Sequence, residues 1–159
     1  MASEEKNQNN IINSESIFNN NKYIFADKPI NRFKTKPKVE DISIKLKKLR
    51  DEIEQIENCE LKKNASKIVF SDGDNESKIM IVGEGPGQKE DEVGKPFVGD
   101  AGILLNKMLK SISVERKNVY ITNVVNYRPP NNRKPEPNEI TKYSNFLRKH
   151  ISIIDPKIL

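Results

Sequence analysis

Between residues 40 and 57 the chain reads EDISIKLKKLRDEIEQIE, with Ile42, Leu46, Leu49, Ile53 and Ile56 three or four positions apart. That spacing lines one side of an α-helix, and the acidic residues at its start complement the helix dipole. The stripe reads as a core face, with a partner-binding face as the alternative. KIVFS (67–71) reads as a short strand ended by the turn signal Asp72-Gly73. Ile79 to Val82 is an unbroken apolar run, typical of a strand covered on both faces of a parallel sheet. DAGILLNKMLKSI predicts a second amphipathic helix, with Asp100 as N-cap and Leu104, Leu105, Met108, Leu109 and Ile112 as its apolar face. NVYITNVV (118–125) predicts a second buried strand. Four prolines force a loop in YRPPNNRKPEP. Pro137 then suits the first turn of another helix, with Ile140, Phe146, Leu147 and Ile151 as core positions. Asp155-Pro156 turns the chain into KIL, the start of a third strand.

Strand, loop and helix recur in order, which predicts an α/β fold with a parallel sheet. Ligands in such sheets bind beyond the carboxyl ends of the strands, where the loops 83–99 and 126–137 lie. Residues 1–39 are Asn- and Lys-rich with no sustained apolar period, so they read as a disordered arm before a domain over 40–159. The arm is either compositional drift or a basic aid to holding nucleic acid. The net charge of +5 permits a nucleic-acid partner without requiring one. No apolar run is long enough to span a membrane, and the polar, acidic first residues are no signal peptide. One cysteine excludes an internal disulfide. A cytoplasmic location and no membrane partner are the expectation.

The chemistry concentrates in GEGPGQKEDEVGKPFVGDAG, residues 83–102. Gly83, Gly85 and Gly87 allow backbone to approach a ligand closely, and Pro86 stiffens the turn. A phosphate cradle would carry Lys followed by Ser or Thr; this loop carries Glu84, Glu90, Asp91 and Glu92. Glu84 and Glu90 are the candidate acid–base groups, able to orient a water or favour a developing positive charge. Asp91 and Glu92 read as solvated surface. Phe97 is either a plug over the core or a platform that stacks on a base. Asn123, disfavoured near the end of a buried strand, either satisfies local backbone or faces the site with a donor and an acceptor. Arg128, Arg133 and Lys134 flank the proline loop and are candidates for phosphate contact. His150, the only histidine, reads as a surface residue without a role.

GEGPGQKEDEVGKPFVGDAGILLNKML followed by VYITNVVNYRPPNNRKPEPNEI resembles the family 4 uracil-DNA glycosylases, the bacterial and archaeal iron–sulfur type, over roughly residues 42–159. Related domains also occur under the name of phage-type DNA polymerase. The resemblance implies a three-layer parallel-sheet fold, here cut after the second strand–helix unit. It also implies an enzyme that flips deoxyuridine out of DNA and hydrolyses the base–sugar bond in base-excision repair. By motif, Glu84 and Gly85 lie in the water-binding turn. Glu90 is the first choice of catalytic carboxylate, Phe97 stacks on uracil, and Asn123 reads its edge.

The chain also departs from that pattern. The family's four cysteines hold a four-iron–four-sulfur cluster; here Ile56, Tyr127 and Tyr143 stand at three of those positions and only Cys59 remains. One thiolate cannot hold such a cluster, so no iron is expected, and the bulky replacements are expected to fill the space. The family continues into a His-Pro segment that contacts uracil, and His150 does not match it. A halved sheet would expose an apolar edge. The expectations are therefore poor stability, impaired or absent activity, a monomer, and completion by a separately encoded C-terminal half. The competing readings are a noncatalytic single-stranded DNA-binding remnant and a nucleotide-binding α/β module.

Overall fold

The computed structural model describes residues 41–159; the expectation for residues 1–39 lies outside them. Helix α1 (Ile42–Glu54) starts at Asp41, whose carboxylate accepts a hydrogen bond from the Ser43 amide. A short helix α2 (Glu60–Asn64) follows, then strands β1 (Ser71–Gly73) and β2 (Met80–Gly83). Helices α3 (Gln88–Val93) and α4 (Asp100–Ser111) lie between β2 and β3 (Tyr120–Asn123), and α5 (Pro137–Ile154) closes the order. The sheet order is β1-β3-β2. β2 and β3 pair in parallel, with Met80 opposite Tyr120 and Gly83 opposite Asn123.

Alternation along these strands feeds two cores. Met80, Tyr120 and Val125 point to one face, where Leu46, Leu49 and Ile53 of α1 and Tyr143 and Ile154 of α5 cover them. Ile79, Ile81, Val119 and Ile121 point to the other, against Leu105 and Leu109 of α4. Coverage on both faces explains why the strands read as continuous apolar runs. The layers are helix, sheet, helix, as expected for an α/β domain.

Several local expectations are corrected. The sheet is mixed, because β1 runs antiparallel to β3. The first strand begins at Ser71, and Asp72 and Gly73 belong to it. Segment 69–70 is instead held by one backbone bond and two side chains: the Val69 amide donates to the Asn126 carbonyl at 2.8 Å, Thr122 Oγ1 donates to the Phe70 carbonyl at 2.7 Å and Asn126 Nδ2 to the Val69 carbonyl at 3.1 Å. The turn falls at Asp74, whose carboxylate accepts from the Glu76 amide. Asp100 is the first helical residue rather than the cap; Gly99 takes the cap position, and the Asp100 carboxylate pairs with Lys89 at 3.0 Å. On α4 only Leu105 and Leu109 face the sheet. Leu104, Met108 and Ile112 are 59%, 60% and 67% exposed, because the three strands beneath are too narrow to meet them.

The buried stripe of α5 runs through Tyr143, His150 and Ile154, while Ile140 is exposed and Phe146, Leu147 and Ile151 are partly buried against the core. His150 is therefore a core residue and not a surface one. Its Nδ1 lies 3.0 Å from the Tyr120 hydroxyl, and its ring packs on Phe70 at 4.6 Å. Asp91, read as solvated, is buried and accepts from the Ser66 and Lys67 amides. After α5, Asp155 adopts left-handed backbone and its amide donates to Ile151. The expected third strand begins: Ile158 forms a parallel bridge with Ile79.

Burial pushes the His150 pKa down from 6.5 to about 4. A base whose folded pKa is depressed stabilises the fold above its unfolded pKa, and that contribution is lost as pH falls from 6.5 towards 4. We predict that urea denaturation shows a loss of about 2 kcal/mol between pH 7 and pH 5. With no second histidine in the chain, His150→Phe should flatten that slope.

Candidate nucleic-acid base site

In-register pairing of β2 and β3 brings Gly83 and Asn123 side by side at the carboxyl edge of the sheet. The Val124 amide donates to the Gly83 carbonyl at 2.8 Å, so both loops leave from one point. There they enclose an open cavity of about 280 Å³, whose lining includes Glu84, Gly85, Glu90, Phe97, Gly99 and Asn123. An adjoining recess of about 150 Å³ shares Glu84, Gly85 and Gly87 and reaches Asn132, Arg133 and Lys134 of the proline loop. The structure thus brings together every residue expected at the site except Arg128, which lines neither hollow.

Gly83 is what lets the two recognition side chains meet. A β-carbon there would sit 2.3 Å from Asn123 Oδ1 and 2.6 Å from the Phe97 ring. Asn123 is 3% exposed, and its Nδ2 has no partner. An unmade hydrogen bond on a buried amide costs about 1–3 kcal/mol, which favours any ligand that brings an acceptor. Phe97 is half-buried, at φ 52°. Left-handed backbone at a bulky residue costs roughly 1–3 kcal/mol and persists only where neighbours enforce it. Gly102 is one: its helix lies so close that a β-carbon would fall 1.9 Å from the Phe97 carbonyl oxygen.

The two carboxylates differ. Glu90 reaches across its own loop, with Oε1 accepting from the Val98 and Gly99 amides at 2.8 and 2.7 Å and Oε2 from the Gly87 amide at 3.2 Å. Gly87 and Gly99 leave room for it, since β-carbons there would lie 2.9 and 3.1 Å from its oxygens. Glu84 is exposed on the wall between the two hollows, and its carboxylate has no hydrogen-bond partner among the described residues.

The cations differ too. Arg128 Nε donates to Asn132 Oδ1 at 2.7 Å. Arg133 grips Glu139 through two bonds of 2.8 and 2.7 Å and holds that carboxyl below its usual range. Lys134 is exposed, with no ion pair or side-chain hydrogen bond among the described residues. Sequence reasoning missed Arg116, which donates to the Pro96 and Phe97 carbonyls. Its one signal was a lone arginine in the turn before a buried strand.

At the positions where the family resemblance places the iron–sulfur ligands, Cys59 Sγ lies 3.3 Å from the Tyr143 hydroxyl. Tyr127 and Tyr143 are buried in the same core, with Ile56 against them. Burial pushes the Tyr127 phenol up to about 12 and the Tyr143 phenol higher still, so both stay protonated. One thiol, two neutral phenols and an isoleucine do not fit an iron–sulfur cluster.

Comparison with known proteins agrees with this geometry. Residues 70–159 match the sequence model of the Uracil DNA glycosylase superfamily. A type-4 uracil-DNA glycosylase of Sulfurisphaera tokodaii is 48% identical over 115 residues, 72% of this chain and 52% of that protein. One of Thermotoga maritima is 46% identical over 101 residues, 64% of this chain and 53% of that protein. A DNA polymerase of Bacillus phage SP01 is 34% identical over 100 residues, covering 62% of this chain and 11% of that protein. The chain spans about half the length of the type-4 relatives it matches. It belongs to the uracil-DNA glycosylase superfamily.

Proposed function

We propose that the cavity receives a uracil flipped out of DNA and that the protein takes part in hydrolysing its bond to deoxyribose. The unpaired, buried amide of Asn123 beside the Phe97 ring carries this reading. A pyrimidine edge supplies the acceptor that Nδ2 lacks, and its π-face suits the ring. Water attacks C1′, the C1′–N1 bond breaks, and its electron pair leaves with the base. The attacking water's proton passes to a carboxylate. Glu84, free and on the wall of the cavity, is placed for that role with Gly85 beside it. Glu90 acts by holding the loop closed, and Lys134 is the cation with capacity left for a DNA phosphate, with Arg128 and Arg133 shaping the loop around it.

Uracil recognition is tested by binding of single-stranded oligonucleotides that differ only in one uracil or cytosine, since cytosine presents an amino donor where uracil presents the O4 acceptor. We expect Asn123→Ala to erase a preference of about tenfold or more while the cytosine strand binds as before. Equal affinities in the unaltered protein would sink the reading. In release assays with labelled uracil, Glu84→Gln should lower release without weakening binding. Glu90→Gln should weaken both, because an amide cannot accept all three backbone donors.

The protein is proposed to fold without iron, its Cys59–Tyr143 contact and the Tyr127 ring filling the place of the cluster. Anaerobically purified protein should then show no iron by elemental analysis and no visible charge-transfer absorption. A stoichiometric metal content would overturn this.

The exposed stripe Leu104, Met108 and Ile112 along α4 and the strand edge begun at Ile158 are together proposed to receive a strand–helix unit of a second polypeptide. The half of the Thermotoga maritima protein outside the match is a ready probe. Its addition should protect Met108 from peroxide oxidation and raise uracil release; an unchanged oxidation rate would reject the docking face.

A further inference from the structure

We propose that Arg116 is a positioning residue for base recognition: its guanidinium clamps the backbone of Pro96 and Phe97 so that the Phe97 ring is held over Gly83 beside Asn123. This rests on the reading of Phe97 as the base platform. Arg116 begins a 3-10 turn (Arg116–Asn118) just before β3, outside both hollows at the site. All three of its nitrogens are engaged. Nε donates to Asp72 Oδ2 at 2.9 Å, Nη2 to the Pro96 carbonyl at 2.6 Å, and Nη1 to the Phe97 carbonyl at 3.0 Å. Nη1 also reaches Asn106 Oδ1 on α4 at 3.3 Å. One side chain therefore ties β1, α4 and the strained loop to the root of β3.

Asp72 anchors the clamp. It also pairs with Lys95 at 3.1 Å, on the other side of Pro96. Burial pulls its carboxyl upward, but the bonds from Arg116 and Lys95 outweigh that and keep it ionised below its usual range. The anchor fixes the plane of the guanidinium, and the plane fixes two successive carbonyls. Those carbonyls set the left-handed turn at Phe97 (φ 52°), from which the ring projects into the cavity. A lysine here has no planar fork and could not bind the carboxylate and both carbonyls at once.

The test uses the full chain with Arg116→Gln, Arg116→Lys and Phe97→Ala. Hydrogen–deuterium exchange reads the clamp directly, because the Val98 and Gly99 amides lie just beyond it. We expect Arg116→Gln to speed exchange at those amides about tenfold while amides of α5 keep their protection. The preference for a uracil over a cytosine oligonucleotide should fall about tenfold, with no further loss when Phe97→Ala is added. Arg116→Lys should recover stability, through Asp72, more than preference. Unchanged exchange at Val98 and Gly99, or faster exchange spread equally through α5, would overturn the clamp. If Phe97→Ala alone leaves the uracil preference intact, the platform reading fails, and the exchange data still decide the clamp.

Discussion

The pairing of Gly83 with Asn123 across β2 and β3 is the constraint on which the site depends. Because the strands are parallel and in register, two loops far apart in sequence leave the sheet at the same edge. Because residue 83 has no side chain, an aromatic ring from the first loop and an amide from the second strand can occupy the same space. A one-residue slip would turn Asn123 to the opposite face and put Thr122, which holds the Phe70 carbonyl, at the cavity instead. The register is in turn held by burial on both faces: Tyr120 and Ile121 are each fully buried, on opposite sides of one strand.

A glycine-rich turn after a strand ordinarily offers its amides to a phosphate. Here that capacity is spent within the loop. The amides of Gly87, Val98 and Gly99 all point at Glu90, which acts as a built-in anion. This explains an acidic sequence on a backbone that resembles a phosphate cradle, and it argues against the nucleotide-binding alternative. It also separates the two carboxylates that the sequence could not tell apart. One has three lone pairs committed to backbone, and the other has none.

The elements with an uninterrupted period were legible: α1, α4, α5, the two parallel strands and the loops that bear the site. So were the residues Phe97, Asn123, Glu84 and Glu90 as neighbours in one cavity. The errors fall where polar side chains do buried work. His150 and Asp91 are both buried, and each is bonded to a group more than 20 positions away, which no local pattern reveals. The edge strand β1 failed for a related reason. Its three residues are polar or glycine, and they are strand only because β3 pairs with them. On α4 the pattern was read correctly, and the burial it implied was not found. Leu104, Met108 and Ile112 stay exposed because the three strands described do not extend beneath them.

Cys59, Tyr127 and Tyr143 meet in one core. Four thiolates around iron tie distant segments together by coordination, at a point where burial need not be complete. Here the corresponding segments are joined by bulk: Tyr143 is fully buried, Tyr127 nearly so, and the remaining thiol faces the Tyr143 hydroxyl. Two aromatic rings bury a large apolar area, and that burial joins segments far apart in the chain. The phenol oxygens make that packing conditional: Tyr143 is tolerated at the centre because Cys59 answers its hydroxyl.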